Sequence, residues 1–287
     1  MGNVILARTA GRRGDLVSRL GAVVLLLLGG CSLPREESLA AAARRGWQSE
    51  VIAAGPFHLF TLSPPHWQAG APLSLYIEGD GAAWVNRYRL SDDPTPRRAV
   101  ALDLALADPA ANVVYLARPC QYVTGLARRG CDPAYWSVAR AAPEVIAAMA
   151  AVVDHFQRAA AAEEVRLIGY SGGGAVALLV AARRPGIARV VTVAGVLDLT
   201  AWTRALDLTP LDASLDPADF VATLEAVPQI HLVGAEDEVV PGAVADSYLA
   251  RFPASRRPLL LEVAGQGHDQ GWDRRWPGLL MQMEAVR

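Results

Sequence analysis

The chain has 287 residues, 52% of them hydrophobic and 20% charged, which excludes an intrinsically disordered protein. The 27 basic residues, all arginine, face 29 acidic ones, and a net charge of −2 gives no reason to expect a nucleic-acid partner. The absence of lysine, together with abundant alanine, reads as genomic composition bias and not as function.

The N-terminus has the layout of a targeting segment. Arg8, Arg12, Arg13 and Arg19 form a positive region, and Leu20 to Leu28 form an apolar run too short to cross a bilayer as a helix. The run ends in Leu28-Gly29-Gly30-Cys31, which resembles the lipobox of bacterial lipoprotein signal peptides. The resemblance implies a signal peptide over residues 1–30, cleavage before Cys31, and lipid on the Cys31 sulfur and new amino terminus. It also implies a protein exported and held at the cell envelope by its lipid. Ser32, not Asp, follows the cysteine, which in proteobacteria leans toward the outer membrane. The alternative is an ordinary secretory signal that contains a cysteine. In either case the chain reaches an oxidising compartment, so Cys120 and Cys131 read as a disulfide, worth about 3 kcal/mol in the chain-entropy model. Two free buried thiols are the other reading.

Residues 31–54, charged and alanine-rich, read as a tether ahead of one α/β domain over 55–287. Phe57 to Leu62 suits an early strand, ended by Pro64-Pro65. Leu73 to Ile77 is the next strand and runs into Glu78-Gly79-Asp80-Gly81, a glycine-rich loop able to turn backbone N–H groups toward a cavity. A helix is expected over Arg97–Ala107, then a near-continuous apolar strand over Asn112–Ala117, as when both faces are covered. Arg118 to Ser137 is a long loop carrying both cysteines, and loops of that length are often functional. Val138 to Ala162 has helical periodicity, with Pro143 marking its firm start. Strands follow at Val165–Ile168, Ala188–Ala194, Gln229–Val233 and Leu259–Val263, and helices at Gly174–Ala182, Gly242–Arg251 and Trp276–Val286. Residues 196–227, with Trp202 and Phe220, read as a small helical lid that favours an apolar acyl group. The alternation of strands and helices predicts a mainly parallel sheet covered on both faces, with the site beyond the carboxyl ends of the strands.

Gly169-Tyr170-Ser171-Gly172-Gly173 joins a buried strand to a helix and fits G-x-S-x-G, the nucleophile elbow. A plain turn of small residues is the competing reading. A serine hydroxyl needs a base. His58 and His231 fall in strands, His155 in a helix, and His66 beside a proline pair. Only His268, in Gly265-Gln266-Gly267-His268-Asp269, sits in a loop after a strand. An imidazole base needs a carboxylate to orient it. Asp237, in the loop after Gln229–Val233, is the first choice, with Glu236, Glu238, Asp198 and Asp269 as alternatives.

These three segments, in the order Ser171, Asp237, His268, resemble those of the α/β-hydrolases, as do Gly234-x-x-Asp237-x-x-Val240-Pro241 and Gly267-His268-Asp269. The resemblance covers roughly residues 55–287 and implies a serine hydrolase acting through an acyl-serine. It also implies an oxyanion hole made by the N–H of Gly172 and one N–H of the early glycine loop, at Asp80 or the adjacent Gly81. Many members carry His-Gly in that loop. Here an acidic side chain stands close to a developing oxyanion, so Asp80 must point away or be paired. Carboxylic esters or thioesters are the expected substrates, and a small acyl compound the expected partner. Peptidase and acyltransferase chemistry use the same triad. A surface-anchored, non-catalytic binding lipoprotein is the reading to keep if Ser171, Asp237 and His268 do not converge. No metal or organic cofactor is implied, since no histidine pair has helical ligand spacing and no phosphate-binding glycine motif follows a strand.

Overall fold

The computed structural model describes residues 33–285, so Cys31 and the targeting segment lie outside the described residues. Helix α1 (Pro34–Arg44) and strand β1 (Gln48–Ala54) come first. They replace most of the expected tether over 31–54. Ala42 of α1 is fully buried, and Ser38 Oγ donates to Asp103 at 2.5 Å. β1 pairs antiparallel with β2 (Phe57–Ser63) along its whole length, from Gln48 opposite Ser63 to Ala54 opposite Phe57. β1 is an edge strand whose side chains are mostly exposed. Its backbone bonds hold it there, and its composition carries no core pattern that would announce it.

β3 (Leu73–Ile77) is buried along its whole length and is followed by a short hairpin, β4 (Trp84–Asn86) and β5 (Arg89–Leu90), that pairs only with itself. Helix α2 (Val100–Ala107) starts three residues later than expected. Ala99 before it is non-helical, and the Arg97 carbonyl instead accepts from the N–H of Arg35 at 3.1 Å. Then come β6 (Asn112–Leu116), helix α3 (Pro143–Ala159), β7 (Val165–Tyr170), α4 (Gly172–Arg183) and β8 (Ile187–Val193). Helices α5 (Leu199–Ala205) and α6 (Val221–Leu224) occupy the segment read as a lid. β9 (Gln229–Gly234), α7 (Gly242–Leu249), β10 (Leu259–Val263) and α8 (Trp272–Ala285) complete the described chain.

Among the described residues, eight strands form one sheet in the order β1-β2-β6-β3-β7-β8-β9-β10. β2 is antiparallel to both neighbours, and every pairing from β6 to β10 is parallel. Alternation along the central strands feeds two cores. Leu73, Leu75, Ile77, Val114, Leu116, Val165 and Leu167 face the core shared with α3 and α4. Tyr76, Val113, Tyr115, Ile168 and Tyr170 face the one shared with α2 and α8. α3 buries Val145, Ile146, Met149, Val152, Val153 and Phe156, a stripe at helical spacing. Each such aliphatic side chain contributes about 1.5–3 kcal/mol by leaving water. On α8, Trp272 and Trp276 lie one turn apart and both are fully buried, so the helix begins a turn before the expected Trp276.

The lid is smaller than its 196–227 span suggested. Ser214 Oγ donates to the Val138 carbonyl at 2.8 Å, and the Leu215 N–H donates to the Ala141 carbonyl at 3.0 Å. Phe220 packs against the main core, with the Arg183 guanidinium 5.7 Å from its ring, and does not line the site. Trp202 on α5 does line it.

Candidate active site

Ser171 follows the last residue of β7 and precedes the first of α4, with φ 51° and ψ −123°. A non-glycine residue in this region carries roughly 1–3 kcal/mol of strain and persists only where the surroundings over-determine it. Here they do: the Ser171 N–H donates to the Val193 carbonyl at 2.9 Å, and the Ser171 carbonyl accepts from Gly174 at 2.9 Å and Val196 at 3.1 Å. The elbow's glycines answer to close backbone approach. A Cβ on Gly169 would lie 2.3 Å from the Gly173 carbonyl oxygen, and one on Gly173 would lie 2.4 Å from that of Ile77.

The structure brings the three expected side chains together. His268 Nε2 lies 3.1 Å from Ser171 Oγ, and His268 Nδ1 lies 2.8 Å from Asp237 Oδ2. Asp237 Oδ1 accepts from the N–H groups of Val239 at 2.9 Å and Val240 at 2.8 Å, which fixes the carboxylate in its turn. The Asp237 side chain is fully buried, whereas His268 keeps 15% of its side chain exposed on the cavity side. The two loops are locked to each other, since the Glu236 N–H donates to the Gln266 carbonyl at 2.9 Å. Trp272 Nε1 donates to the His268 carbonyl at 2.8 Å. The alternatives for the acid fall away by position. Asp198 caps α5 and accepts from Ser247 Oγ and Arg251, while Glu236, Glu238 and Asp269 are exposed. His231 is buried against Thr192 Oγ1 at 2.8 Å, and burial pushes its pKa down to about 3.

Asp80 is paired, one of the two arrangements expected of an acid in an oxyanion loop. Its carboxylate accepts from Arg118 Nη1 at 3.1 Å and Arg140 Nη1 at 2.5 Å. Burial raises the pKa of this carboxyl, but the two guanidiniums outweigh burial and hold it below the usual carboxylate range. The carboxylate does not turn away from the elbow. A Cβ on Gly172 would lie 2.3 Å from Asp80 Oδ1, so the acid packs directly on the Gly172 Cα. Arg118 also donates to the Arg140 carbonyl, and Gln121 Nε2 donates to the Gly79 carbonyl at 3.0 Å. Cys120 and Cys131 are bonded to each other, with Cα atoms 5.6 Å apart, in the loop that carries Arg118 and Gln121.

Arg118, Arg140, Gln121 and Glu78 escaped the sequence reading. Glu78 is buried at the head of the glycine loop and accepts from the Gly79 N–H at 2.9 Å and Tyr115 Oη at 3.2 Å. Burial pushes its pKa up to about 7, against the lowering effect of those bonds. A usable signal existed: Glu78 and Arg118 each stand just past a mostly apolar strand read as covered on both faces, where a charged side chain needs a partner. Among the described residues no group of three or more His, Cys, Asp or Glu side chains could hold a metal ion.

Ser171, His268 and Arg140 open into a cavity of about 660 Å³ with Trp84, Val85, Trp202 and Val239 among its walls. Trp202 Nε1 donates to the Val239 carbonyl at 2.8 Å, and the Arg140 guanidinium lies 5.7 Å from the Trp202 ring.

No protein-family model and no curated protein matches the chain. Solved structures do. The α/β hydrolase GrgF from Penicillium sp. is 13% identical over 84% of this chain and 96% of its own, with a TM-score of 0.59. Est1E from Butyrivibrio proteoclasticus is 14% identical over 83% of this chain and 99% of its own, with a TM-score of 0.56. A puromycin hydrolase is 19% identical over 84% of this chain, with a TM-score of 0.54, and the match spans only 38% of that protein's length. At such identities the likeness concerns architecture. With its mostly parallel eight-stranded sheet and an elbow between β7 and α4, the chain has the α/β-hydrolase fold.

Proposed function

We propose that the protein is a serine hydrolase that cleaves carboxylic esters or thioesters through an acyl-serine intermediate. The observation that carries this reading is the unbroken chain of hydrogen bonds from Asp237 through His268 to Ser171 Oγ. His268 accepts the Ser171 proton as Oγ attacks the substrate carbonyl, and Asp237 holds the ring with Nδ1 protonated and Nε2 free. The N–H groups of Gly172 and Asp80 receive the oxyanion; such a donor is worth about 3 kcal/mol of transition-state stabilisation. The proton on His268 then passes to the leaving alcohol or thiol, and water, deprotonated by the same imidazole, releases the acid. The indole and aliphatic walls at Trp84, Val85, Trp202 and Val239 suit an apolar acyl group. The convergence of all three side chains favours catalysis over a surface-anchored binding role. Cys31 bears lipid in this reading and keeps the enzyme at the cell envelope.

A fluorophosphonate probe should label the wild-type chain and leave Ser171→Ala unlabelled, with turnover of p-nitrophenyl acyl esters lost by about 10⁴-fold or more. Labelling that survives the substitution removes Ser171 from its role. Incorporation of radioactive palmitate that persists in Cys31→Ala would remove the anchor.

A further inference from the structure

The hairpin β4–β5 has no partner in the fold beyond its base. Trp84 and Val85 are 45% and 46% exposed and Tyr88 is 84% exposed, an unusual set of apolar side chains to leave in water. Trp84 and Val85 are also walls of the Ser171 cavity, so the exposed hairpin forms its rim. Across the mouth, Val239 is 47% exposed.

Arginines gather on the hairpin side of this rim, while the exposed acids Glu238 and Asp269 stand across the mouth beside Val239 and His268. Arg87 lies against the Tyr88 ring at 5.4 Å, and Arg87, Arg89 and Arg97 have no carboxylate within ion-pair distance among the described residues. Arg128 joins them by donating to the Asp92 carbonyl at 2.5 Å. The acids at the hairpin's base are Asp92 and Asp93, and Asp93 Oδ1 is engaged by the Thr95 N–H at 2.9 Å. Aromatic rings flanked by arginines match the chemistry of a headgroup layer, where the rings sit at the interface and the guanidiniums meet lipid phosphates.

The start of the described chain fixes which surface this is. The Arg35 N–H donates to the Arg97 carbonyl at 3.1 Å, and Arg35 Nη1 donates to that of Pro96 at 3.3 Å. Pro96 and Arg97 line the same cavity. Cys31 stands four residues before Arg35, a reach of at most about 14 Å of extended chain. In the lipid-anchor reading, the chain leaves Cys31 and within that reach joins Arg35, which is bonded to the wall of the cavity.

We infer that the β4–β5 rim is a docking face for the anionic headgroups of a lipid bilayer, turning the Ser171 cavity toward the membrane so that its acyl substrate comes from that surface. The orientation rests on the lipid-anchor reading of Cys31; the hairpin chemistry stands apart from it.

The test uses the full chain reconstituted in phosphatidylethanolamine–phosphatidylglycerol vesicles. An environment-sensitive fluorophore is placed at Tyr88→Cys, or at Ser255→Cys in the turn before β10, at the opposite end of the parallel strands. The wild-type chain supplies the background from Cys31. Emission from position 88 should shift to the blue and be quenched by spin-labelled lipid, and position 255 should stay in water. An aqueous spectrum at 88 on vesicle-bound protein overturns the proposal. So does a shift at 88 that needs added envelope protein, which assigns the face to a protein partner. A variant carrying Arg87→Glu, Tyr88→Ser and Arg89→Glu should lose at least about tenfold in hydrolysis of a vesicle-borne acyl ester, since each arginine attracts an anionic surface. It should keep soluble p-nitrophenyl acetate turnover within about twofold, because none of the three lines the cavity. Equal loss on both substrates, or on neither, also overturns the proposal. If the wild type hydrolyses neither ester, the hydrolase reading fails while the label at position 88 still decides the docking face.

Discussion

On one side of Ser171, the acid and the base stand on the loops after β9 and β10, and main-chain contacts set both. Gly234 lies so close to the base loop that a Cβ there would sit 2.3 Å from the Gln266 carbonyl oxygen, and two backbone N–H groups clamp Asp237. On the other side, the glycine loop after β3 is held by side chains. Asp80 lies between two arginines, Gln121 holds the Gly79 carbonyl, and the Cys120–Cys131 bond braces the segment that supplies them. In the proposed mechanism the first half positions the groups that move a proton. The second keeps a net positive cluster of two guanidiniums and one carboxylate behind the place where that mechanism develops negative charge. Two aspartates thus lie close to Ser171 with different partners: Asp237 meets His268, which it orients in the proposed mechanism, and Asp80 meets two buried guanidiniums.

Neutral substitution of each aspartate should separate those tasks. Asp237→Asn should fold normally and lose about 10⁴-fold in kcat, because an amide favours the wrong imidazole tautomer. A loss below tenfold would mean that another group orients His268. Asp80→Asn should instead act on stability, costing about 3–5 kcal/mol in denaturant titration, because two buried guanidiniums lose their counter-ion. An unchanged unfolding midpoint would show that the arginines are stabilised without it.

A smaller effect belongs to Glu78. Its folded pKa of about 7 lies above the unfolded value of 4.5. The native state therefore binds a proton that the unfolded state releases between those values. Stability contributed by that proton is present at pH 4.5 and is lost as the pH rises toward 7, by up to about 3 kcal/mol. Glu78→Gln should flatten this slope in melts taken from pH 5 to 8 and leave it unchanged if Glu78 is ionised throughout.

The same contrast governs what could be read before the structure. Glycine and turn chemistry sit within a few residues of the groups they serve, so Ser171, Asp237 and His268 could be found from local motifs and their order. The partners of Asp80 are 38 and 60 residues away, on the loop after β6 and just before α3. No local pattern links them. The hairpin at Trp84–Leu90 lacks alternation, and β1 is held by backbone bonds at an exposed edge, so neither announces itself by composition.

The sequence by itself determined the alternating strands and helices, the elbow, the three segments that bring Ser171, Asp237 and His268 together, and the pairing of the two distal cysteines. Each of these is encoded by hydrophobic period, by steric limits on a turn, or by the few residue types able to do the chemistry. The tertiary structure alone decided that Asp80 is neutralised in place against Gly172, that Glu78 titrates near neutrality, and that the first described residues lie against the rim of the catalytic cavity. These depend on burial and on charges brought together across the sheet, quantities that exist only once the chain has folded.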